Sequence, residues 1–435
     1  RQKKKRFLML RFFSFISFFY FLVLFSHSSN LLSQESKIIY LKNADNLYGT
    51  EINGEQVREL TGNVEFFQGN IYLKCNKAIQ YFSSNKVEVI GNVILYQDTL
   101  KLFTENGIYF GDTRITSSPS KVRITDGVVE LKANSGKYEA NQRLAVFYND
   151  VVFNDKKNTI YSDTTFYYRD SSKIFAFGNV EIVSDDNNII YCDTLEHYRN
   201  KKYSILRGNP QLIRFDSTKI EDTIQTKYRI DTLLVKSKLL ISDRSEKNLL
   251  IALDSVKFLR NEISLFCKKL TNLTKDSIFI LEKDPVIWYQ KSQIFADSIT
   301  LFIKNKNINK IVASNNAFML SEADSLFPEL FNQIMGDTIT LYFSDNKLDS
   351  ILAIQKAIAF YFQTDSSGIN SGYKSSGDKI KIESINNKLK SVRILYGIES
   401  FYYPANMLKG KIMEYNLPRF KILTHKPKRE DYYNR

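Results

Sequence analysis

The heptapeptide LTGNVEF at residues 60–66 decides the fold, because versions of it recur along the chain. VIGNVIL at 89–95 and AFGNVEI at 176–182 keep its pattern of apolar and variable positions around Gly-Asn-Val, and LRGNPQL at 206–212 is a looser copy. With the Val position as marker, the series advances by 29, 29, 29, 29 and 30 residues through Val64, Val93, Val122, Val151, Val180 and Pro210. Weaker copies follow at Val256, Val286 and Ala317, and degenerate ones lie near Ile358 and Ser400.

A second motif keeps the same period: a small residue followed by Asp, Asn or Glu inside an apolar stretch. Its copies are Ala44-Asp45, Cys75-Asn76, Thr104-Glu105, Ala133-Asn134, Ser162-Asp163 and Cys192-Asp193, and the series resumes at Cys267-Lys268, Ala296-Asp297, Gly336-Asp337 and Gly377-Asp378. Two independent markers with one period predict a repeat protein. One repeat cannot bury its own apolar face, so neighbouring repeats are expected to stack.

Apolar and polar residues alternate within each repeat, as in Val180, Glu181 and Ile182, and this alternation predicts β-strands with one buried face. A repeat has room for two or three strands. We therefore predict an all-β protein, an open antiparallel β-jellyroll or solenoid of about eleven repeats of ~29 residues. Gly and Asn tolerate a positive φ, so the Gly-Asn pair is expected to form a tight turn entering the strand.

Deviations from the period suggest the domain organisation. The step from Pro210 to Val256 lengthens to 46 residues, which indicates an insertion. Apolar spacing predicts an inserted amphipathic helix or lid at Ser321 to Met335, and Ser and Gly content predicts a mobile loop at Gln363 to Asp378. The expected segments are 1–33, a signal peptide or anchor; 34–215, regular repeats; 216–320, repeats with an insertion; 321–424, degenerate repeats with an inserted helix or loop; and 425–435, a basic tail.

The N-terminus has the pattern of an export signal. Six basic residues up to Arg11 precede an apolar stretch from Phe12 to Phe25, which at 14 residues is short for a membrane span of about 20. Small residues at 26–29 would suit cleavage, and retention as a single anchor is the alternative. Export is expected in either case.

The positive charge sits at the two termini. Of the net charge of +14, residues 1–11 carry +6 and residues 419–435 carry +4, which leaves +4 for everything between them. A nucleic-acid-binding surface would instead concentrate Lys and Arg on one face. Nucleic acid is therefore not an expected partner.

Residues suited to catalysis or metal binding are sparse. Cys75, Cys192 and Cys267 all occupy the small position of the second motif, so we predict buried packing residues rather than disulfides or metal ligands. The histidines are His27, His197 and His425, too few for a triad or a His-rich metal site. The repeated Asp residues suit a cation ladder or turn geometry, and Asn, Glu and Lys at equivalent positions favour turn geometry. No catalytic residue, metal or cofactor is predicted.

The phrases LTGNVEFF at 60–67, AFGNVEI at 176–182, YCDTL at 191–195 and FADSITL at 295–301 resemble the OstA-like family. This family comprises organic-solvent-tolerance and lipopolysaccharide-transport proteins of Gram-negative bacteria. MGDTITLYF at 335–343 and the Pro-containing tail through Arg419 resemble its long Bacteroidetes-type version.

The resemblance implies a non-catalytic periplasmic carrier or bridge, whose β-jellyroll groove shields the acyl chains of lipid A. The expected partners are lipopolysaccharide, other transport components bound through edge strands, and further copies of the chain in head-to-tail association. A structural β-solenoid scaffold, or protein-interaction module of the envelope, remains the alternative. The candidate groove residues are Val64, Phe66, Val93, Leu95, Val151, Phe153, Val180 and Ile182, for which a purely structural role in the core is the competing interpretation.

Overall fold

The computed structural model describes residues 38–432 except 222–225, 306, 345–346, 367 and 386–387. The signal or anchor predicted for residues 1–33 lies outside this range. The chain divides into two compact units between Ser118 and Pro119. Both consist almost entirely of antiparallel strands, which confirms the predicted all-β class.

The N-terminal unit contains strands β1 to β7. They are β1 Tyr40–Asn43, β2 Asn46–Ile52, β3 Glu55–Gln68, β4 Ile71–Tyr81, β5 Lys86–Gln97, β6 Leu100–Phe110 and β7 Ile115–Ser118.

The C-terminal unit begins with shorter strands. They are β8 Val122–Thr125, β9 Glu130–Ala133, β10 Ser135–Glu139, β11 Leu144–Asn154, β12 Asn158–Tyr168, β13 Lys173–Ser184, β14 Asn188–Tyr198, β15 Tyr203–Arg207, β16 Gln211–Glu221, β17 Thr226–Lys236, β18 Leu239–Asp243, β19 Leu249–Arg260, β20 Ile263–Leu273, β21 Ile278–Glu282, β22 Val286–Tyr289, β23 Ser292–Phe295 and β24 Ser298–Lys304.

Longer strands and three short helices complete this unit. They are β25 Asn307–Asp324, β26 Phe327–Ser344, β27 Lys347–Asp365, β28 Gly368–Ile385, β29 Lys388–Leu395, β30 Glu399–Pro404, the α-helix α1 Ala405–Leu408, and 3₁₀ helices at Ile412–Tyr415 and Arg429–Tyr432.

In the regular part of the chain, one sequence period corresponds to two antiparallel strands. In the first such pair, β3 and β4, Val64 lies opposite Cys75 and Phe66 opposite Leu73, so the two sequence motifs face each other. The pair β13 and β14 repeats this register, with Val180 opposite Cys192 and Ile182 opposite Ile190. Each repeat therefore adds about 9.5 Å, twice the spacing between neighbouring strands.

The Gly-Asn pair forms a β-bulge inside a continuous strand, so the predicted turn at the strand entrance is wrong. Gly62 and Asn63 have φ values of 75° and 47°, and together they lie opposite the single residue Asn76. Positive φ at both positions recurs at 91–92, 149–150, 178–179, 254–255 and 315–316. A bulge bends the strand and increases its twist. The predicted positive φ is present at both residues, but it produces a bend within the strand rather than a reversal of the chain.

The second motif holds this bend in place. The amide of Asn63 donates to Asp45 Oδ2 at 3.0 Å, and Asn179 donates to Asp163 at 2.9 Å. A Cβ atom on Gly62 would come within 3 Å of the Asp45 carboxylate, which explains the glycine. At the equivalent place Lys268 donates to Asp284 at 2.7 Å, so the pairing survives an exchange of charge. The repeated Asp residues therefore brace the bulge, and the described residues contain no cluster of metal-ligating side chains.

Hydrogen bonds between strands that are not sheet neighbours show that each unit folds over on itself. In the N-terminal unit, Gln68 at the end of β3 donates to the carbonyl of Gly111, which follows β6, at 3.0 Å. In the C-terminal unit, Tyr167 on β12 donates to Asp126, which follows β8, at 3.1 Å. Because the strands bend at their bulges, the two halves of the sheet face each other across an apolar interior.

The structure corrects the predictions for the irregular segments. Residues 321–335 form parts of β25 and β26 with a tight turn between them, so the predicted helix is wrong. The predicted loop at 363–378 is also wrong, because β27 and β28 occupy most of it. The lengthened step after Pro210 is an additional hairpin formed by β16 and β17. Apolar spacing suggested a helix at 321–335 because residues of both sheet faces are buried along the long strands β25 and β26.

All three cysteines are buried and free, as predicted. Burial raises the pKa of Cys75 to about 11 and that of Cys192 and Cys267 to about 12, so the thiols remain protonated. Within the described residues no helix has the length and apolar character needed to span a membrane.

Candidate functional site

The eight predicted groove residues lie in the apolar interior of the two units. Seven of them are at most 2% exposed, namely Val64, Phe66, Val93, Leu95, Val151, Phe153 and Val180. Ile182 is 8% exposed and lines a cavity. The first four pack within the N-terminal unit and the other four within the C-terminal unit.

The interior opens farther along the C-terminal unit. One cavity of about 450 Å³ is lined by residues from the range 155–244. A second, of about 580 Å³, is lined by residues from the range 186–279. Both are lined by Asn188, Ile190, Leu206, Ser242 and Arg244, so the two cavities are contiguous. We call this joint cavity the trough. Further apolar lining residues are Ile160, Ile182, Leu195, Leu233, Leu250 and Phe279.

A change in one repeated side chain coincides with the opening. Tyr109, Tyr138 and Tyr167 succeed one another at intervals of 29 residues and are all buried. His197 holds the equivalent position, second from the end of its strand β14, 30 residues after Tyr167. Its side chain is shorter than that of tyrosine, and it lines the trough. Its Nδ1 is 2.8 Å from Ser204 Oγ in the adjoining strand, so it is held within its own hairpin. Sequence reasoning missed the trough, and this Tyr-to-His change was the available signal.

Burial keeps His197 neutral. Loss of hydration lowers its pKa, and this outweighs the opposing attraction of Asp155. The side chain therefore adds a polar but uncharged group to a mainly apolar wall near neutral pH.

The mouth of the trough carries a net positive charge. The 450 Å³ cavity is lined by five cationic side chains and one carboxylate, which are Lys156, Lys157, Arg199, Lys202, Arg244 and Asp155. Arg199 lies 3.7 Å from Asp155, and Arg244 lies 3.6 Å from Asp186. These two ion pairs join turns on opposite sides of the mouth. The arrangement suits an amphiphile with an apolar body and an anionic end.

Residues 405–432 pack against the interior beyond the trough and insert a few side chains into it. We call residues 405–432 the C-terminal strap. Its side chains Leu408 and Leu417 are at most 2% exposed and belong to one apolar cluster with Val286, Trp288, Phe295, Phe318, Leu320, Leu330, Phe360 and Phe362. Burying two leucines fully stabilises the docked strap by roughly 3–6 kcal/mol.

Polar contacts fix the register of the strap. The buried amide of Gln333 accepts from the backbone N–H of Leu417 at 2.8 Å and donates to Asn416 at 2.6 Å. Gln293 accepts from the N–H of Leu423 at 2.9 Å. The contacts to Leu417 and Leu423 satisfy backbone donors that would otherwise lose their hydrogen bonds on packing, and the contact to Asn416 joins two side chains.

The end of the strap is docked as well. The ring of His425 meets Phe266 and Trp288 edge-on at 4.8 and 5.3 Å. Asp431 lies 3.2 Å from Lys257, and Tyr432 is buried. The segment predicted as a basic tail is therefore packed against the sheet as far as residue 432, although its composition is basic.

Comparison with known proteins identifies similar sequences and structures. The sequence model of the OstA-like protein family matches residues 35–150 and 130–231. Among solved structures, the chain is similar to LptH from Pseudomonas aeruginosa, described as the LptA homologous periplasmic component of the conserved lipopolysaccharide transport device. That match has 14% identity and a TM-score of 0.24, and it covers 33% of this chain and 95% of LptH. No curated protein matches.

Proposed function

We propose, from the match of the OstA-like family model to residues 35–231, that the chain is a periplasmic carrier that holds the acyl chains of lipopolysaccharide in its trough. The family consists of non-enzymatic transport bridge proteins. Transport of this kind needs no covalent step, only successive sites of similar affinity. An exported, periplasmic location is part of the proposal.

The trough is the observation that carries this proposal. Its first cavity lies largely in the part of the chain that matches the family, and its volume is within the ~300–1,000 Å³ typical of ligand pockets. Each methylene group transferred from water onto its Ile and Leu side chains would gain about 0.8 kcal/mol. Of the eight residues predicted from sequence, Ile182 lines the first cavity, and we propose that it contacts the ligand. The other seven would meet one only if the two halves of the sheet part.

Lipid analysis of the exported protein tests the proposal. The chain is produced with its N-terminal segment in a Gram-negative host, purified from the periplasm without detergent and examined by mass spectrometry. We expect lipid A on the parent and little on the variant Ile190→Asp, Leu250→Asp, because both substitutions put carboxylates in the trough. The exposed pair Val128→Asp, Val183→Asp is the matched control. A stable parent free of lipid would contradict the carrier function and favour the scaffold.

Exposed strand edges support the proposed protein partners. Among the described strands, β2 pairs only with β3, and β29 and β30 pair only with β28. Tyr48, Tyr396 and Ile398 are exposed at or beside these edges. An unpaired edge with apolar side chains can accept a strand from another chain. We propose that transport components or further copies of this chain bind there, head to tail.

Light scattering tests the self-association. We expect the mass to rise with protein concentration and the rise to disappear in Leu47→Pro, because residue 47 is out of phase with the hydrogen-bonded pair Ile52–Glu55 and its N–H faces the edge. A concentration-independent monomer mass would contradict it.

A further inference from the structure

We propose that the cationic mouth of the trough is a binding site for the phosphate group of an anionic amphiphile. The site comprises Lys156 and Lys157 in the turn between β11 and β12, Lys202 in the turn between β14 and β15, and Arg244 after β18. This inference rests on the proposed function, since it assigns the polar end of the ligand whose apolar body occupies the trough.

The three lysines are exposed and not engaged in ion pairs with other described residues. Their backbones, in contrast, are fixed. The N–H groups of Lys156 and Lys157 donate to Asn154 and Asp155 at 2.8 and 3.1 Å, and the carbonyl of Lys202 accepts from Arg244 at 2.9 Å. The turns therefore hold three mobile ammonium groups around one opening at low cost in backbone entropy.

Charge at this mouth differs from charge elsewhere on the sheet. Lysines on the strands are commonly paired, such as Lys74 with Glu65 at 2.7 Å and Lys173 with Glu196 at 2.6 Å. Of the three carboxylates that line the trough, Asp155 is engaged with Arg199, Asp186 with Arg244, and Asp243 with Ser245. An excess of unpaired cations above an apolar floor is complementary to a phosphate joined to an acyl chain, because phosphate accepts several charge-assisted hydrogen bonds at once.

The mouth also explains how such a ligand would gain entry. The ion pair of Arg244 with Asp186 is 3.6 Å long and largely exposed, whereas that of Arg199 with Asp155 is 3.7 Å long and mostly buried. An exposed ion pair contributes little to stability, because water screens the two charges. A phosphate group can therefore replace Asp186 as the partner of Arg244 without a large penalty, while Arg199 stays paired with Asp155.

Two amphiphiles that share a dodecyl chain but differ in their headgroup test the site. Isothermal titration calorimetry of the full chain compares 1-dodecyl phosphate with dodecyl maltoside, both below their micelle concentrations and at low salt. The parent is expected to bind the phosphate about tenfold tighter, since several exposed ammonium groups can donate charge-assisted hydrogen bonds to it. Lys156→Glu, Lys157→Glu, Lys202→Glu is expected to lose this preference and to keep its affinity for the maltoside.

The control triple Lys347→Glu, Lys356→Glu, Lys390→Glu alters net charge equally at exposed positions outside the trough, and it should keep the preference. Retention of the preference by the trough triple, or equal loss in the control, would overturn the site. Displacement of dodecyl phosphate by inorganic phosphate at similar concentration would also overturn it, in favour of a free-phosphate site. If the parent binds neither amphiphile, the proposed function itself fails.

Discussion

Two stretches of the C-terminal unit use the same bulged strands to enclose very different interiors. Between residues 155 and 279 the interior is an open trough with a cationic mouth. Between residues 286 and 362 it is filled by aromatic side chains and by the C-terminal strap. The difference shows that the repeated strands form only the walls of the interior. What lies between them depends on a few side chains and on a segment distant in sequence.

In the filled stretch, side chains of the C-terminal strap take the place that a ligand would have in the trough. Leu408 and Leu417 of the strap occupy apolar positions of the kind that a lipid chain would take in the trough. The strands around them are also longer, 18 or 19 residues in β25 to β28 against 11 or 12 in β11 to β14. If this comparison is correct, the same chemical change will have unequal effects in the two stretches.

The largest effect is expected from Leu417→Asp. A carboxylate at this 2% exposed position would be buried without a partner, at a cost of about 3–5 kcal/mol. Trp288, the only tryptophan, lies in the same cluster, so urea unfolding monitored by its fluorescence measures the loss. Met413→Asp is the control, because Met413 belongs to the same strap and is 75% exposed. Equal losses in the two variants would contradict a packed strap.

A smaller effect is expected from Gln333→Ala. The substitution leaves the buried N–H of Leu417 without its acceptor, at a cost of about 1–3 kcal/mol. The same fluorescence transition should shift to lower urea, and amide exchange at residues 416–417 should accelerate. Gln363→Ala, on a neighbouring long strand, is the comparison that should leave exchange in the strap unchanged. Unaltered exchange in Gln333→Ala would show that the strap does not depend on this contact.

In the trough, Ile190→Asp should cost only about 1 kcal/mol of unfolding free energy, because the half-exposed carboxylate remains hydrated. Binding of dodecyl maltoside should nevertheless fall strongly, since the charge meets the acyl chain. Denaturation and calorimetry on one preparation separate the two effects. A stability loss as large as that of Leu417→Asp would mean that the trough is closed core.

The smallest effect concerns pH. His197 has a lowered pKa in the folded state, so below about 6.5 the unfolded chain binds more protons and stability falls as the pH falls. From pH 7.5 to 6.0 this contribution is at most about 0.8 kcal/mol. The variant His197→Gln should lose that part of the pH dependence in denaturation experiments. A parent that becomes more stable on acidification through this group would contradict its buried, neutral state.

The repeated features of the structure were accessible from the sequence, and the unique ones were not. Val64 and Asp45 mark the bend and its brace, and the period of the sequence reveals them because most repeats carry an equivalent of each. The sequence did not distinguish a turn from a bulge at Gly62-Asn63, since both require positive φ. The strap was missed because its contacts join residues far apart, such as Gln293 and Leu423, and no local pattern encodes them.

The sequence predicted the candidate site only as a stripe of alternating apolar residues. It did not show which of these residues line the trough. Phe153 and Ile182 share the same alternating pattern, yet the first is sealed in the core and the second borders the trough. Which of them is accessible depends on the size of side chains across the interior, such as Tyr167 and His197, rather than on the strand's own pattern.

Site-specific photocrosslinking tests most directly the claim that one stretch is open to lipid and the other is filled. The photoreactive residue p-benzoylphenylalanine replaces either Ile190 in the trough or Phe331, which is similarly half-buried and lies 6.1 Å from Phe420 of the strap. Each variant is irradiated in a Gram-negative host that makes lipopolysaccharide. We expect a lipopolysaccharide adduct at position 190 and, at position 331, a crosslink within the chain to the strap. An adduct at 331 as strong as at 190, or none at 190, would contradict the account.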